Sequence, residues 1–363
     1  MKRILSWILV LTLLLAGCGG DAPAGRETHT VTDQDGFQVK LPLDVQRIVV
    51  CDILPLPSVL TVFFDSGEKI VGMSGTSMNA AENGLLGELY PEILDAETGF
   101  IDGSTVNVEE LMKLQPDVVF YNASRKELGQ QLRNAGFPAV AISVNKWEYD
   151  AIETLNHWIA LLGEIFPESD KTEVVERYSR QVYDLVQSRV ADIPERERVL
   201  FLYQYSETNM LTSGAKFFGQ WWADAIGAVN VAGELTTDNS VAVNMEQVYA
   251  WNPSLIFITN FTTAGPADLY GNTVGAYDWS GIDAVKNERV YKMPLGMYRS
   301  YTPGVDTPVT LLWLAKTAYP DLFADIDVVA TAKDFYREVF GVELTDTQAA
   351  SIFTPAADAG SGF

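Results

Sequence analysis

Val106-Asn-Val-Glu-Glu-Leu-Met-Lys-Leu-Gln-Pro-Asp-Val-Val-Phe-Tyr121 and Val243-Asn-Met-Glu-Gln-Val-Tyr-Ala-Trp-Asn-Pro-Ser-Leu-Ile-Phe-Ile258 are two copies of one pattern. Val, Asn, Glu, Pro and Phe fall in the same register. Asn107 and Asn244 read as N-caps, whose side-chain oxygens accept from unpaired backbone N–H groups. Glu110 and Gln247, three residues on, complete capping boxes in this reading. Glu109 and Glu246 take the second helical position, where the helix dipole favours negative charge. Each helix stops before Pro116 or Pro253, because the residue before proline is pushed out of the helical region. Val118–Tyr121 and Leu255–Ile258 follow at once. Continuous apolar runs of this length read as strands of a parallel sheet buried on both faces. The chain is therefore built from two α/β halves.

Other strands are expected around these two. Arg47–Val50, Ile70–Met73 and Ala139–Ile142 belong to the first half, and Val199–Tyr203 and Arg289–Lys292 to the second. A hairpin turning at Asp33-Gln34-Asp35-Gly36 precedes them. That turn also resembles the start of a calcium loop, but it lacks the remaining ligands and the closing Glu. Between the halves, Ile152, Leu155, Ile159 and Leu162 recur at helical spacing, and Pro167 ends that helix. A longer helix is predicted from about Lys171 to Arg189, with Val175, Tyr178, Val182 and Leu185 on one face. One rigid crossover of this kind would join the lobes at a nearly fixed angle.

The N-terminus is a secretory signal. Lys2 and Arg3 precede the apolar run Ile4–Leu15, which is shorter than the ~20 residues of a spanning helix. The run ends in Leu15-Ala16-Gly17-Cys18, which resembles a bacterial lipobox, so Cys18 is the predicted lipidation site. The divisions read from the sequence are 1–17 signal peptide, 18–30 tether, 31–148 N-terminal lobe, 149–196 helical linker and 197–363 C-terminal lobe. With 47% hydrophobic residues the chain buries a core of two ordinary lobes. Its net charge of −23 argues against nucleic acid, whose phosphates need a basic surface. With Cys18 lipidated, Cys51 has no disulfide partner and reads as a small buried apolar residue.

Taken in order, these features resemble the periplasmic-binding-protein family that serves iron–siderophore, haem and cobalamin importers. The carriers are Thr32–Gly36 with Val39, Pro42 and Arg47-Ile48-Val49, then both Asn-x-Glu…Pro segments. Gly219–Ala232, Trp279–Tyr291, Leu314-Ala315-Lys316 and Tyr319-Pro320 complete the set. The resemblance implies an α/β fold of two lobes, each with a central, mostly parallel sheet, joined by one long interlobe helix. It implies a ligand in the cleft between the lobes and an ABC permease dimer with its ATPase as partner. It also implies that Glu109 and Glu246 dock the permease through its arginines.

Ligands of open α/β sheets sit beyond the carboxyl ends of strands. That singles out loops 52–58, 74–79, 121–124, 203–214, 260–265 and 296–302. The expected ligand contacts are Tyr203, Tyr205, Tyr298, Arg299, Tyr301, Tyr121 and Asn122. Tyrosine offers a flat apolar face with one hydroxyl, and Arg299 suits a carboxylate or catecholate. A metal chelate of iron–siderophore type is the expected ligand, with haem or cobalamin as the alternatives. No metal site or cofactor is expected in the protein itself. Bare-ion receptors lean on imidazoles, and the chain has two histidines, His29 and His157, far apart in sequence. An enzyme is disfavoured because Gly-x-Ser-x-Gly, His-Glu-x-x-His, phosphate-loop and dinucleotide patterns are missing. Ser213-Gly214 beside Lys216 reads as the start of a Phe217–Ile226 helix rather than as a nucleophile. A sensory lipoprotein that binds ligand for a partner receptor stays open. The expected location is the outer face of the cytoplasmic membrane, held by a lipid on Cys18.

Overall fold

The computed structural model describes residues 26–361, so the predicted signal peptide and the predicted lipidation site Cys18 lie outside the described residues. The chain opens on a hairpin of β1 (Thr28–Thr32) and β2 (Gln38–Pro42). The buried Asp33 makes its turn. One carboxylate oxygen accepts from the amides of Asp35 at 3.0 Å and Phe37 at 2.8 Å. The other accepts from the Ala141 amide at 3.0 Å, which fastens the hairpin to the first lobe. All three contacts are to backbone donors, so Asp33 serves as the hinge of the turn and its tie to the first lobe.

The first lobe holds β3 (Ile48–Val50), β4 (Ile70–Gly72), the short pair β5 (Ile101–Asp102) and β6 (Thr105–Val106), β7 (Val118–Asn122) and β8 (Ala139–Ile142). Its main sheet has the order β4-β3-β7-β8, all parallel. The second lobe holds β9 (Arg198–Tyr205), β10 (Met210–Ser213), β11 (Val229–Asn230), β12 (Ser240–Ala242), β13 (Leu255–Ile258) and β14 (Val290–Lys292). Here β9, β13 and β14 are parallel, while β10 and β12 extend the sheet antiparallel and β11 pairs with β9. β10, β11 and β12 were not anticipated from the sequence: each is short and carries no alternating or continuous apolar run long enough to mark it.

The repeat is structural as well as sequential. Asn107 caps the Val108–Lys113 helix and Asn244 caps the Met245–Trp251 helix. Gln115 and Asn252, each just before its proline, take positive φ values of 47° and 40°. β7 and β13 follow, each hydrogen-bonded to the first strand of its lobe. One capping box differs from expectation. Gln247 returns to the Asn244 amide at 3.1 Å, but Glu110 turns outward to Lys113 at 2.7 Å. An i,i+3 ion pair competes with the cap for the same carboxylate.

Helices Ala151–Ile165 and Thr172–Val190 join the lobes. On the second, Val175 lies in the first lobe's core and Val182, Val186 and Val190 in the other's, so this helix is the interlobe strut. The expected extent of the C-terminal lobe, 197–363, needs correction. Phe335, Tyr336, Phe340 and Ile352 are fully or almost fully buried in the first lobe's core, not the second's. The chain returns across the strut on the Thr307–Ala318 helix, and its last helices cover apolar surface left open on the first lobe.

Candidate functional site

Arg299 is the pivot of the cleft. It sits on the loop that follows β14 and is 1% exposed. Its Nη2 donates to Asn79 Oδ1 at 3.0 Å, and Asn79 belongs to the Gly75–Glu82 helix of the first lobe. The guanidinium lies 5.2 Å from the Phe261 ring centroid and 5.8 Å from that of Tyr298. Stacked on aromatic faces, it holds its charge with few water contacts. Burial pulls its pKa down and the nearby Tyr298 pulls it back up; guanidinium remains protonated at neutral pH.

Three neighbouring elements hold that loop. The buried Asp306 accepts from the Met297 amide at 2.9 Å with one oxygen and from the Tyr336 hydroxyl with the other. Burial pushes Asp306 up to about 6, against the pull of these hydrogen bonds. A Cβ on Gly296 would run into this carboxylate, so only glycine fits there. Asn260 Nδ2 clips the loop's start through the Met293 and Pro294 carbonyls at 2.8 and 3.0 Å. From the first lobe, the Leu85 amide donates to Gly296 O at 3.2 Å. At the end of β14, Lys292 Nζ donates to the Thr262 and Ala264 carbonyls of the neighbouring loop at 2.6 and 2.7 Å. Burial lowers this lysine to about 7.

Aromatic rings wall the second lobe's side. Tyr203 meets Phe217, Phe261 and Tyr301 with centroids 5.2, 5.0 and 5.4 Å apart. Burial pushes its phenol up to about 12. Tyr298 is 4% exposed, and its hydroxyl lies beside the Arg299 guanidinium with no other partner among the described residues. Burial drives its pKa upward, so the phenol stays protonated and able to donate. Tyr301 is different. Its hydroxyl joins Ser213 Oγ and accepts from the Gly219 amide at 3.0 Å, so the ring is scaffold for the wall. Ser213 is occupied in the same contact and also accepts from Gly219 at 3.1 Å, which disposes of it as a nucleophile.

The structure thus gathers Tyr203, Tyr298, Arg299 and Tyr301, and it does not bring the other three expected contacts to this centre. Tyr121 lies under the Lys126–Asn134 helix, against Gly129, with its hydroxyl accepting from Arg133 at 2.8 Å. Asn122 spends its side-chain oxygen on Ser124 at 2.8 and 3.0 Å. Tyr205 turns its ring into the second lobe's outer cluster, where its hydroxyl accepts from Trp279 Nε1 at 2.9 Å. Phe217, Phe261 and Asn79 take part without having been singled out. Asn79 and Phe261 lay on loops marked by strand ends, but nothing local distinguished them there.

Two cavities flank the centre. One of about 370 Å³ is lined by Gln204, Asn209, Phe261, Thr262 and Ser361. The other, of about 730 Å³, lies between the lobes and carries Trp147, Tyr149, Trp221, Lys216, Asp150 and Asp238. Tyr149 joins it to the wall through Phe217, with centroids 5.6 Å apart. His157 stacks on Trp147 at 4.2 Å, and no cluster of metal-ligating side chains occurs among the described residues. Glu109 and Glu246 are both exposed, each in the first turn of its capped helix.

Comparison with known proteins accords with this geometry. A family model described as periplasmic binding protein matches residues 67–295. The molybdate-binding protein MolA of Haemophilus influenzae is 28% identical over 356 residues, spanning 92% of this chain and 95% of MolA. The iron(3+)-hydroxamate-binding protein FhuD of Bacillus subtilis is 24% identical, spanning 80% of this chain and 89% of FhuD. Among solved structures, a periplasmic solute binding protein from Veillonella parvula superposes with a TM-score of 0.80 at 29% identity, over 90% of this chain and 97% of that one. MolA bound to molybdate gives 0.72 at 25% identity, over 87% and 99%. With two α/β lobes, a helical strut and a polar centre between them, the chain belongs to the periplasmic binding protein family: it is the extracytoplasmic solute-binding protein of an ABC importer, not an enzyme.

Proposed function

We propose that the ligand is a compact tetrahedral oxyanion of the molybdate class, bound between the lobes by Arg299, Asn79 and the hydroxyls of Tyr298 and Tyr203. The observation that carries this is the buried guanidinium bridged to the opposite lobe, beside a buried phenol whose hydroxyl has no other partner among the described residues. A small, fully desolvated dianion repays the burial of one cation and several donors. The likeness to a molybdate-binding relative along nearly the whole chain supports the same reading.

The iron–siderophore reading keeps one supporting observation, the larger interlobe groove with its three aromatic side chains. Its charge argues against an anionic chelate. Glu148, Asp150, Asp224 and Asp238 line it against a single Lys216, and like charge repels. Delivery runs to the permease through Glu109 and Glu246, one exposed acid per lobe, and the protein is held at the membrane by a lipid on Cys18.

Titration decides the ligand. Calorimetry and tryptophan fluorescence (the chain has eight tryptophans) are run with molybdate, tungstate, sulfate, a ferric hydroxamate, haem and cobalamin. Saturable binding of molybdate or tungstate is expected. Binding of a ferric hydroxamate, haem or cobalamin with no response to any oxyanion would restore the chelate reading.

A further inference from the structure

The cleft centre holds a piece of the protein's own chain. Past the last long helices, Ile352 is fully buried in the first lobe's core, and its carbonyl accepts from the Leu295 amide at 2.8 Å, beside the base of the Arg299 loop. From that anchor the chain runs through exposed Thr354 and Ala356 into a short turn, Ala357–Gly360. Its tip ends on the ligand-binding groups. Ser361 O accepts from Arg299 Nη2 at 3.0 Å, and Ser361 Oγ accepts from Asn79 Nδ2 at 3.0 Å. Ser361 is itself held in shape by Asp358 O, which accepts from its amide at 3.0 Å and its hydroxyl at 2.6 Å. Gly360 is buried against the Thr262 carbonyl so closely that a Cβ would collide with it.

Two acceptor oxygens of one residue therefore meet one donor from each lobe, the arrangement a bound oxyanion would make with its own oxygens. The two contacts differ in strength from those of a ligand. A neutral carbonyl and a hydroxyl are weaker partners for a guanidinium than a charged oxygen. Among the described residues of the turn, Ala356, Ala357 and Asp358 are exposed. Segments held by a few polar contacts open at low free-energy cost.

We propose that residues 357–361 are an internal occupant of the anion site, a strap that bridges Arg299 and Asn79 in the ligand-free protein and is expelled when ligand binds. This rests on the reading of those two residues as the anion site. The strap lowers the apparent affinity by the fraction of molecules in which the site is open. A strap docked in about nine molecules of ten corresponds to a tenfold weakening. It also keeps a buried guanidinium solvated by the protein when no ligand is there, and it ties the lobes together in the empty state.

The test compares the full chain with a chain ending at Pro355 and with Gly360→Val, whose side chain would meet the Thr262 carbonyl. Sodium molybdate and sodium tungstate are titrated calorimetrically into each, and hydrogen exchange of the 354–361 peptide is followed in the full chain. Both variants are expected to bind about tenfold more tightly, and saturating molybdate should speed exchange of the peptide. Equal or weaker affinity in both variants, with exchange of the peptide unchanged by anion, overturns the strap and leaves the anion site standing. Failure of the full chain and of both variants to bind either anion overturns the anion site, and the strap's role falls with it.

Discussion

Replacing Arg299 by Gln separates a ligand-binding arginine from a structural one. In water-poor surroundings with an effective dielectric near 20, two unit charges about 4 Å apart attract by roughly 4 kcal/mol. Part of that is offset by the cost of stripping water from both ions. Truncating one partner of a buried charged pair typically costs about 2–5 kcal/mol. A value near 3 kcal/mol corresponds to a loss of roughly a hundredfold in affinity for molybdate. The ligand-free protein should respond in the opposite sense. Arg299 is 1% exposed, so the unliganded fold bears the cost of burying its charge, and glutamine keeps a donor for Asn79 without that cost. The melting temperature of R299Q should therefore stay level or rise slightly while affinity collapses. Calorimetry at fixed ionic strength measures the first effect and thermal unfolding without ligand the second. Affinity within threefold of the parent protein would refute the assignment of Arg299 to the ligand. A large fall in melting temperature alongside weaker binding would instead make it a structural residue.

Asp306→Asn should alter how stability depends on pH. The folded carboxyl titrates near 6 against an ordinary 3.8, so the folded state holds its proton longer, and its contribution is complete below 3.8 and lost as pH rises through 6. Chemical denaturation should show the variant gaining on the parent by up to about 3 kcal/mol between pH 4 and 7; a constant difference would contradict this. Tyr121→Ala should lower stability by about 3 kcal/mol or more, as a cavity in the outer layer demands, and leave molybdate affinity as it was, which a weakened Kd would disprove. Glu109→Ala combined with Glu246→Ala should keep ligand affinity but abolish stimulation of the transporter ATPase, and uptake at parental rates in proteoliposomes would exclude docking through these acids. Cys18→Ala should prevent acylation and shift the protein out of the membrane fraction, and normal membrane retention at mature mass would rule out the anchor.

What the sequence made legible was local. Asn107 and Asn244 cap helices because a side-chain oxygen two or three residues away is all a cap requires, and β7 and β13 need only an uninterrupted apolar run. The same economy explains the errors. Glu110 had two partners within one turn, the Asn107 amide and Lys113, and spacing alone ranks neither. Tyr121 sits on a strand buried on both faces, where alternation is lost and no pattern tells which face a side chain takes. Phe335, Tyr336 and Phe340 form an apolar stretch that any nearby core would accept. That they fill the first lobe's core depends on where the Thr307–Ala318 helix delivers the chain, a matter of long-range packing.

The binding centre was the least legible part, and its geometry says why. Asn79, Tyr203, Arg299 and Ser361 come from four separated segments, a helix, a strand and two stretches of irregular backbone. A site between lobes has to be assembled this way, because neither lobe alone presents all of the donors: Asn79 comes from the first and Tyr203, Tyr298 and Arg299 from the second. The donors are also few and ordinary: one guanidinium, one amide, two phenols. The Thr172–Val190 strut and the Asp306 clamp on the Arg299 loop hold the guanidinium within 3.0 Å of Asn79 across the cleft. A rigid strut keeps these two donors in register, and an anion of the proposed class would engage both lobes across the short span between them. Ser361 meets that span with its carbonyl and its hydroxyl. On the proposed reading, an oxyanion takes the places of these two oxygens at Arg299 and Asn79, and its fit to that pair of donors sets which anion is accepted.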